Sequence, residues 1–224
     1  MIRGIIFDFD GLILDTETPV YTSWVELYQE CGVELQFDQW AKIIGTSNIE
    51  HYDPFILLEK EIGKSLDRTV LASKRYAREM ELCLQQPIMP GVVEVVQDAK
   101  ARELLLGIAS SSARDWVVGH LTRLGLIEYF EFIHTSDDVE KTKPDPALFI
   151  LSLQSMGLEP HEAFVLEDSP NGISAAKDAG IFVVAVPNSL TSGLPLDHAD
   201  LRFESLLDTT LEEILNQIEL GPFV

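Results

Sequence analysis

Apolar residues along this chain follow two rhythms. Short unbroken runs, Gly4 to Phe7, Leu104 to Ala109, Phe132 to Thr135, Ala163 to Leu166 and Ile181 to Val186, have the length and the aliphatic character of buried strands. Between them lie longer segments in which apolar residues return every three or four positions, as on one face of a helix. This alternation predicts an α/β fold: a Rossmann-like, doubly wound parallel sheet with helices packed on it. One interval breaks the rhythm, because the stretch between the first two strands is far longer than a single crossover needs. Within it Val20, Trp24, Leu27, Tyr28 and Cys31 recur at helical spacing, and Asp53-Pro54 and Asp67 read as helix starts. An inserted helical cap domain over residues 16–87 is therefore predicted, on a core made of 1–15 and 88–224. Its hinges fall at Leu14 to Glu17 and in the Pro- and Gly-containing stretch Gln85 to Gly91.

Three helix starts come shortly after predicted strands. Ser111-Ser112 precede the apolar face Trp116, Val117, His120, Leu121 and Leu124, which stops at Gly125; Asp145-Pro146 precede Phe149, Leu153 and Met156; Ser169-Pro170 precede Ile173 and Ala176, ending at Gly180. In open parallel sheets ligands bind beyond the carboxyl ends of the strands, so these starts are expected to share one rim with Asp8 and Asp10, which end the first strand.

Charge narrows the partners. Acidic residues outnumber basic ones 37 to 16, a formal net charge of −21, which repels nucleic acid and anionic membrane surfaces. No apolar run approaches the roughly 18 residues of a membrane span, and the apolar N-terminal stretch is cut by Asp8 and Asp10, unlike a signal peptide. Cys31 and Cys83 read as buried reduced thiols, and the absence of an obvious unpaired apolar helix face suggests a monomer; the expectation is a cytoplasmic protein. The five histidines show no ligand-like pairing, and His120 reads as a core histidine. Trp24, Trp40 and Trp116 read as packing residues, and there is neither a Walker-type loop nor a G-x-S-x-G turn.

Four clusters converge on the predicted rim: Asp8 with Asp10, Ser110 with Ser111, Lys143, and Glu167 with Asp168. Each has a plain reading as a cap, a turn or a solvated loop residue, but four of them at the ends of four predicted parallel strands call for a common purpose. Four ionised carboxylates and one ammonium sum to −3. Two like charges about 4 Å apart repel by roughly 4 kcal/mol at an effective dielectric of about 20, so such a site raises its carboxyl pKa values or takes a cation. An all-oxygen donor set selects Mg²⁺, Ca²⁺ or Mn²⁺ over Zn²⁺, and Mg²⁺ prefers few carboxylates together with phosphate oxygens and water.

The segments DFDGLILDTE (Asp8 to Glu17), ASSS (Ala109 to Ser112), KPDPALF (Lys143 to Phe149) and LEDSPNGISAAKDAG (Leu166 to Gly180) are similar to the four motifs of the haloacid dehalogenase superfamily. The small phosphatases and β-phosphoglucomutases of that superfamily resemble the chain most, in order and spacing over nearly its whole length. The resemblance implies that Asp8 is a nucleophile forming an aspartyl-phosphate, and that Asp10 protonates the leaving oxygen and then activates water. It implies Mg²⁺ on Asp8, the Asp10 main-chain carbonyl and Asp168, with Glu167 close or coordinating. Ser110 and Lys143 would hold the transferring phosphoryl group, with Ser111 and Asn171 as further phosphate-binding positions. An aspartate at position 10 separates the chain from dehalogenases, which have no leaving oxygen to protonate. Mutases of the family carry a His shortly after the "DT" and an Arg after a cap "G-x-S"; here those places read Val20 and Asn48, leaving Lys74 or Arg75 as cap cations. Lys42 and Lys60 do not suit the imine-forming lysine of a phosphonate hydrolase. The expected activity is Mg²⁺-dependent hydrolysis of a small, sugar-like phosphorylated metabolite, under a cap that closes through the LDTE hinge. The alternatives are a β-phosphoglucomutase-type phosphomutase and a non-catalytic phosphate-binding or regulatory protein; the intact Asp8, Asp10 and Lys143 oppose the latter.

Overall fold

The computed structural model describes residues 1–37, 40 and 53–220; Lys42, Asn48 and His51 lie outside them. Six strands, β1 (Gly4–Phe7), β2 (Leu105–Ala109), β3 (Phe132–His134), β4 (Ala163–Glu167), β5 (Phe182–Ala185) and β6 (Leu201–Arg202), form one sheet in the order β3-β2-β1-β4-β5-β6. Every pairing is parallel. The five strands predicted from apolar runs are present, the first with the same bounds and the others with bounds displaced by at most one residue. The sixth has two residues, paired with Val184 and Ala185, and is too short to leave a pattern in the sequence.

Both faces of the sheet are covered, which is why its strands read as unbroken apolar runs rather than alternating ones. Ile5, Phe7, Leu106, Ile108, Phe164 and Leu166 pack with Val95 and Val96 of α4 (Val92–Ala101) and Val117 and Leu121 of α5 (Arg114–Leu124), together with Ile214 of α8 (Leu211–Leu220). Ile6, Val165 and Val183 face the other way, against Phe149 and Leu153 of α6 (Ala147–Met156) and Ile173 and Ala176 of α7 (Pro170–Asp178). Adjacent residues on a strand thus serve two separate apolar layers.

The chain divides into two compact units, Met1–Leu14 with Pro87–Val224, and Asp15–Gln86. The second holds α1 (Glu17–Glu30), α2 (Pro54–Ile62) and α3 (Arg68–Gln85) around its own cluster of Trp24, Leu27, Tyr28, Leu35, Trp40 and Leu58. Its helix starts follow the sequence: the Asp53 carboxylate accepts from the Phe55 N–H at 2.8 Å and that of Asp67 from the Val70 N–H at 3.2 Å. Lys74 pairs with Glu30, while the Arg75 guanidinium lies 4.8 Å from the Trp24 ring centroid and donates to Ser23. Val20 is half-buried on α1 and Lys60 is exposed on α2. Neither cysteine is in a disulfide; Cys83 is buried, whereas Cys31 is only half-buried because it falls just past the end of α1. No helix among the described residues is long and apolar enough to cross a membrane.

Candidate active site

The sheet order sets β1 between β2 and β4, so the segments leaving these three strands rise side by side. Asp8 still belongs to the ladder, its N–H donating to the Leu166 carbonyl at 3.0 Å, and the chain then turns at Gly11, whose φ of +85° favours glycine. A Cβ there would stand 2.3 Å from Oδ2 of Asp168, so the turn has to pass this close for the two acidic segments to meet. Glu167 closes β4 and Asp168 follows it. Lys143 comes from the loop before α6, and its ammonium lies 5.0 Å from the Phe149 ring centroid.

Asp8, Glu167 and Asp168 are 6%, 0% and 1% exposed, and each offers a carboxylate oxygen within 4.8 Å of the others. The Lys143 ammonium bridges two of them, 2.5 Å from Asp8 Oδ1 and 2.7 Å from Glu167 Oε1. The second oxygen of Glu167 accepts from the Asp168 N–H, the Ser169 N–H and the Ser169 hydroxyl at 2.9, 2.9 and 3.0 Å. Glu167 therefore ties the lysine to the start of α7. Burial is the largest influence on Asp8 and pushes its carboxyl up to about 8, with Glu167 and Asp10 adding to the rise and Lys143 opposing it. Burial alone would lower the Lys143 ammonium, but Asp8 and Glu167 outweigh it and hold it above the ordinary lysine value. The Asp8 rise is chiefly its burial and the Lys143 rise the work of its two acidic partners; three buried carboxylates against one ammonium leave the pocket short of positive charge. Buried carboxylate oxygens without His or Cys suit a hard divalent cation such as Mg²⁺, which would supply that missing charge.

Asp10 stands apart from this cluster. Its Oδ2 accepts from the Ser112 and Ser110 hydroxyls at 2.6 and 3.1 Å, and its Oδ1 from the Trp116 indole N–H at 2.8 Å. The serines after β2 thus face Asp10 rather than capping α5, whose N-cap is Ala113 with no side-chain bond. Ser110 is fully buried, its hydroxyl also accepting from the Ser112 N–H, and Ser111 is exposed. Asn171 is half-buried in the first turn of α7, behind Ser169, whose hydroxyl caps that helix by accepting from the Gly172 N–H at 3.1 Å.

The packing role expected for Trp116 was therefore incomplete, since a tryptophan whose N–H meets a carboxylate is also a polar anchor. Asn188 and Thr191 escaped the sequence reading altogether. The Asn188 amide donates to Asp168 Oδ2 at 2.8 Å and to the Gly11 carbonyl at 3.3 Å, while its oxygen accepts from the N–H groups of Leu190 and Thr191. Thr191 Oγ1 adds a contact of 3.4 Å to the same Asp168 oxygen. The only signal in the sequence was a polar residue placed shortly after a strand, V-P-N at Val186 to Asn188.

A parallel sheet with paired acids at the end of β1, a lysine before α6 and an acidic pair at the end of β4 defines a phosphoryl-transfer hydrolase of the α/β class. The chain belongs to the haloacid dehalogenase-like hydrolase family, whose model matches residues 5–186. It is 43% identical over 221 residues to "Putative phosphatase YhcW" of Bacillus subtilis, covering 97% of this chain and 98% of that one. It is 30% identical over 220 residues to the phosphorylated carbohydrates phosphatase of Thermotoga maritima, again covering 97% and 98%. Among solved structures, one described as a "putative beta-phosphoglucomutase" from Thermotoga maritima superposes with a TM-score of 0.77 at 26% identity, over 92% of this chain and 97% of that one.

Proposed function

We propose that the protein is a Mg²⁺-dependent phosphatase of a small phosphorylated metabolite, a sugar phosphate, acting through an aspartyl-phosphate on Asp8. The observation that carries the reading is the buried Lys143 ammonium shared between Asp8 and Glu167 beside Asp168. A carboxylate meant only to stabilise the fold would have no need of two further buried carboxylates next to it. Asp8 and Asp168 would hold the cation, with the Asp10 carbonyl; the two Glu167 oxygens already accept four hydrogen bonds, which makes Glu167 the anchor behind them. When bound, the ion would neutralise phosphate charge and orient it toward Asp8.

An Asp8 oxygen attacks phosphorus, the bond from phosphorus to the leaving oxygen breaks, and Asp10 gives that oxygen its proton. Asp10, now a carboxylate, takes a proton from the water that attacks the aspartyl-phosphate, which releases inorganic phosphate and restores Asp8. Lys143 counters the charge on Asp8 while an anion approaches, and Ser111, Asn171 and the start of α7 receive the remaining phosphoryl oxygens. Residues 16–87 would act as the cap that supplies substrate selectivity. The two cysteines outside any disulfide favour a cytoplasmic setting.

The test is release of inorganic phosphate from p-nitrophenyl phosphate with and without Mg²⁺, and by Asp8→Asn. Activity should require the cation and vanish in the variant; a metal-independent rate, or an Asn variant that keeps its rate, would sink the reading. Hydrolysis is favoured over phosphomutation because the relatives at 43% and 30% identity both bear phosphatase names. A mutase would convert glucose 1-phosphate to glucose 6-phosphate with little free phosphate.

A further inference from the structure

The reaction above needs Asp10 to carry a proton, and nothing in it uses Trp116. Yet among the described residues the indole N–H of Trp116 is one of three donors on that carboxylate, at 2.8 Å from Oδ1, while Ser112 and Ser110 stand at 2.6 and 3.1 Å from Oδ2. A carboxylate offers about four lone-pair positions, two on each oxygen. The serines occupy both positions on Oδ2 and the indole occupies one on Oδ1. A hydroxyl can turn round and accept from a protonated carboxyl, but an indole N–H can only donate. Trp116 is thus the one member of the cradle that stays a donor whatever the state of Asp10.

The indole is itself held in place. Its ring meets His120 edge-on, with centroids 4.3 Å apart at 71°, and the His120 ring lies 6.3 Å from that of Phe9. Phe9 stands between Asp8 and Asp10 in the chain, so the stack runs from Asp10 through Trp116 and His120 back to the backbone that carries both acids. Arg123 donates to His120 Nδ1 at 3.3 Å and fixes the middle of the stack, and His120 is buried. A side chain serving only as filler would not need its one polar atom directed at an acid 106 residues away.

We propose that Trp116 is the positioning residue of the acid–base group: its N–H closes one side of Oδ1, so that Asp10 exchanges its proton at the remaining position of that oxygen. The proposal rests on the acid–base role assigned to Asp10 above. Its consequence is selective. Losing the indole N–H harms protonation of a leaving group that needs a proton, and leaves untouched one that departs as a stable anion.

The experiment compares kcat/KM, which reports the first transfer to Asp8, for glycerol phosphate and p-nitrophenyl phosphate in wild type, Trp116→Phe and Asp10→Asn. Trp116→Phe keeps the ring and removes the donor; kcat/KM should fall about tenfold for the alkyl ester and less than twofold for the aryl ester. Asp10→Asn should show the same selectivity with a larger loss. Equal losses on both esters in Asp10→Asn would overturn the acid role itself. Selectivity in Asp10→Asn without it in Trp116→Phe would overturn the positioning role while leaving the acid role intact. If Trp116→Phe does not fold, replacement of Trp116 by 3-benzothienylalanine, which exchanges N–H for sulfur in a ring of the same shape, answers the same question.

Discussion

Replacing Gly172 by alanine sets two effects of opposite sign against each other. Gly172 lies in the first turn of α7, where alanine would ordinarily stabilise a helix by about 1 kcal/mol. A Cβ at this position, however, would fall 1.6 Å from Oε1 and 1.9 Å from Cδ of Glu167. The carboxylate has to move, and it is fully buried and accepts hydrogen bonds from Lys143, the Asp168 N–H, the Ser169 N–H and the Ser169 hydroxyl. Hydrogen bonds to a charged group contribute about 1.5–3 kcal/mol each, and breaking a buried ion pair costs about 3–5 kcal/mol. Set against the helix gain, the net loss is about 2–4 kcal/mol, or roughly 10 °C in Tm for a chain of this size. Gly119, in α5, has nothing within 4 Å of its Cβ position and serves as the matched control; alanine there should be neutral or stabilising by up to about 1 kcal/mol. Urea denaturation of both variants measures the two signs, and phosphatase assays should show Gly172→Ala at least about tenfold slower, since Lys143 loses its fixed partner. A Gly172→Ala protein as stable and active as wild type would refute the account of Glu167 as the anchor of the site.

Asn188→Ala removes the amide that orients Asp168 and should weaken Mg²⁺ activation about tenfold or more, read from the Mg²⁺ dependence of the rate. Protons compete with the cation for Asp8, whose carboxyl burial pushes up to about 8 in the metal-free pocket, so Mg²⁺ affinity should rise from pH 6 toward pH 8 with proton release. Titration calorimetry in buffers of different ionisation enthalpy checks the sign, and a flat profile would contradict it. Leu58→Ala, in the separate core of the helical unit, should cost about 2–4 kcal/mol and lower hydrogen-exchange protection in α2 and α3 first.

Strand runs were legible because a sheet covered on both faces demands uninterrupted apolar residues, and helix starts at Asp53, Asp67 and Ser169 because capping is local chemistry. Asp8, Lys143, Glu167 and Asp168 could be brought together in advance for the same reason: parallel topology sends the ends of neighbouring strands to one rim. What could not be read was the layer behind them. Asn188 reaches Asp168 across 20 residues and Trp116 reaches Asp10 across 106, and neither contact follows from any spacing rule. The serines after β2 show the limit from the other side. Their sequence supports a helix cap, and only the neighbouring strand reveals an acid that competes for the same hydroxyls.

The shared lysine has a further consequence in the proposed reaction. When Asp8 becomes an acyl phosphate its carboxylate charge is gone, and the negative charge facing Lys143 moves to the phosphoryl oxygens. A lysine paired with Asp8 alone would then swing toward the phosphoryl oxygens, and the site would have to be reassembled before water attacks. Here Glu167 takes no part in the bond changes and stays 2.7 Å from the ammonium, fixed by backbone donors at the start of α7. The cation that faces the phosphoryl group therefore keeps its place in both half-reactions, held by an acid that never reacts. Preorganisation of this kind avoids reorganising the site at the moment of bond breaking. It explains why a third buried carboxylate is worth its desolvation in a pocket that is already too negative.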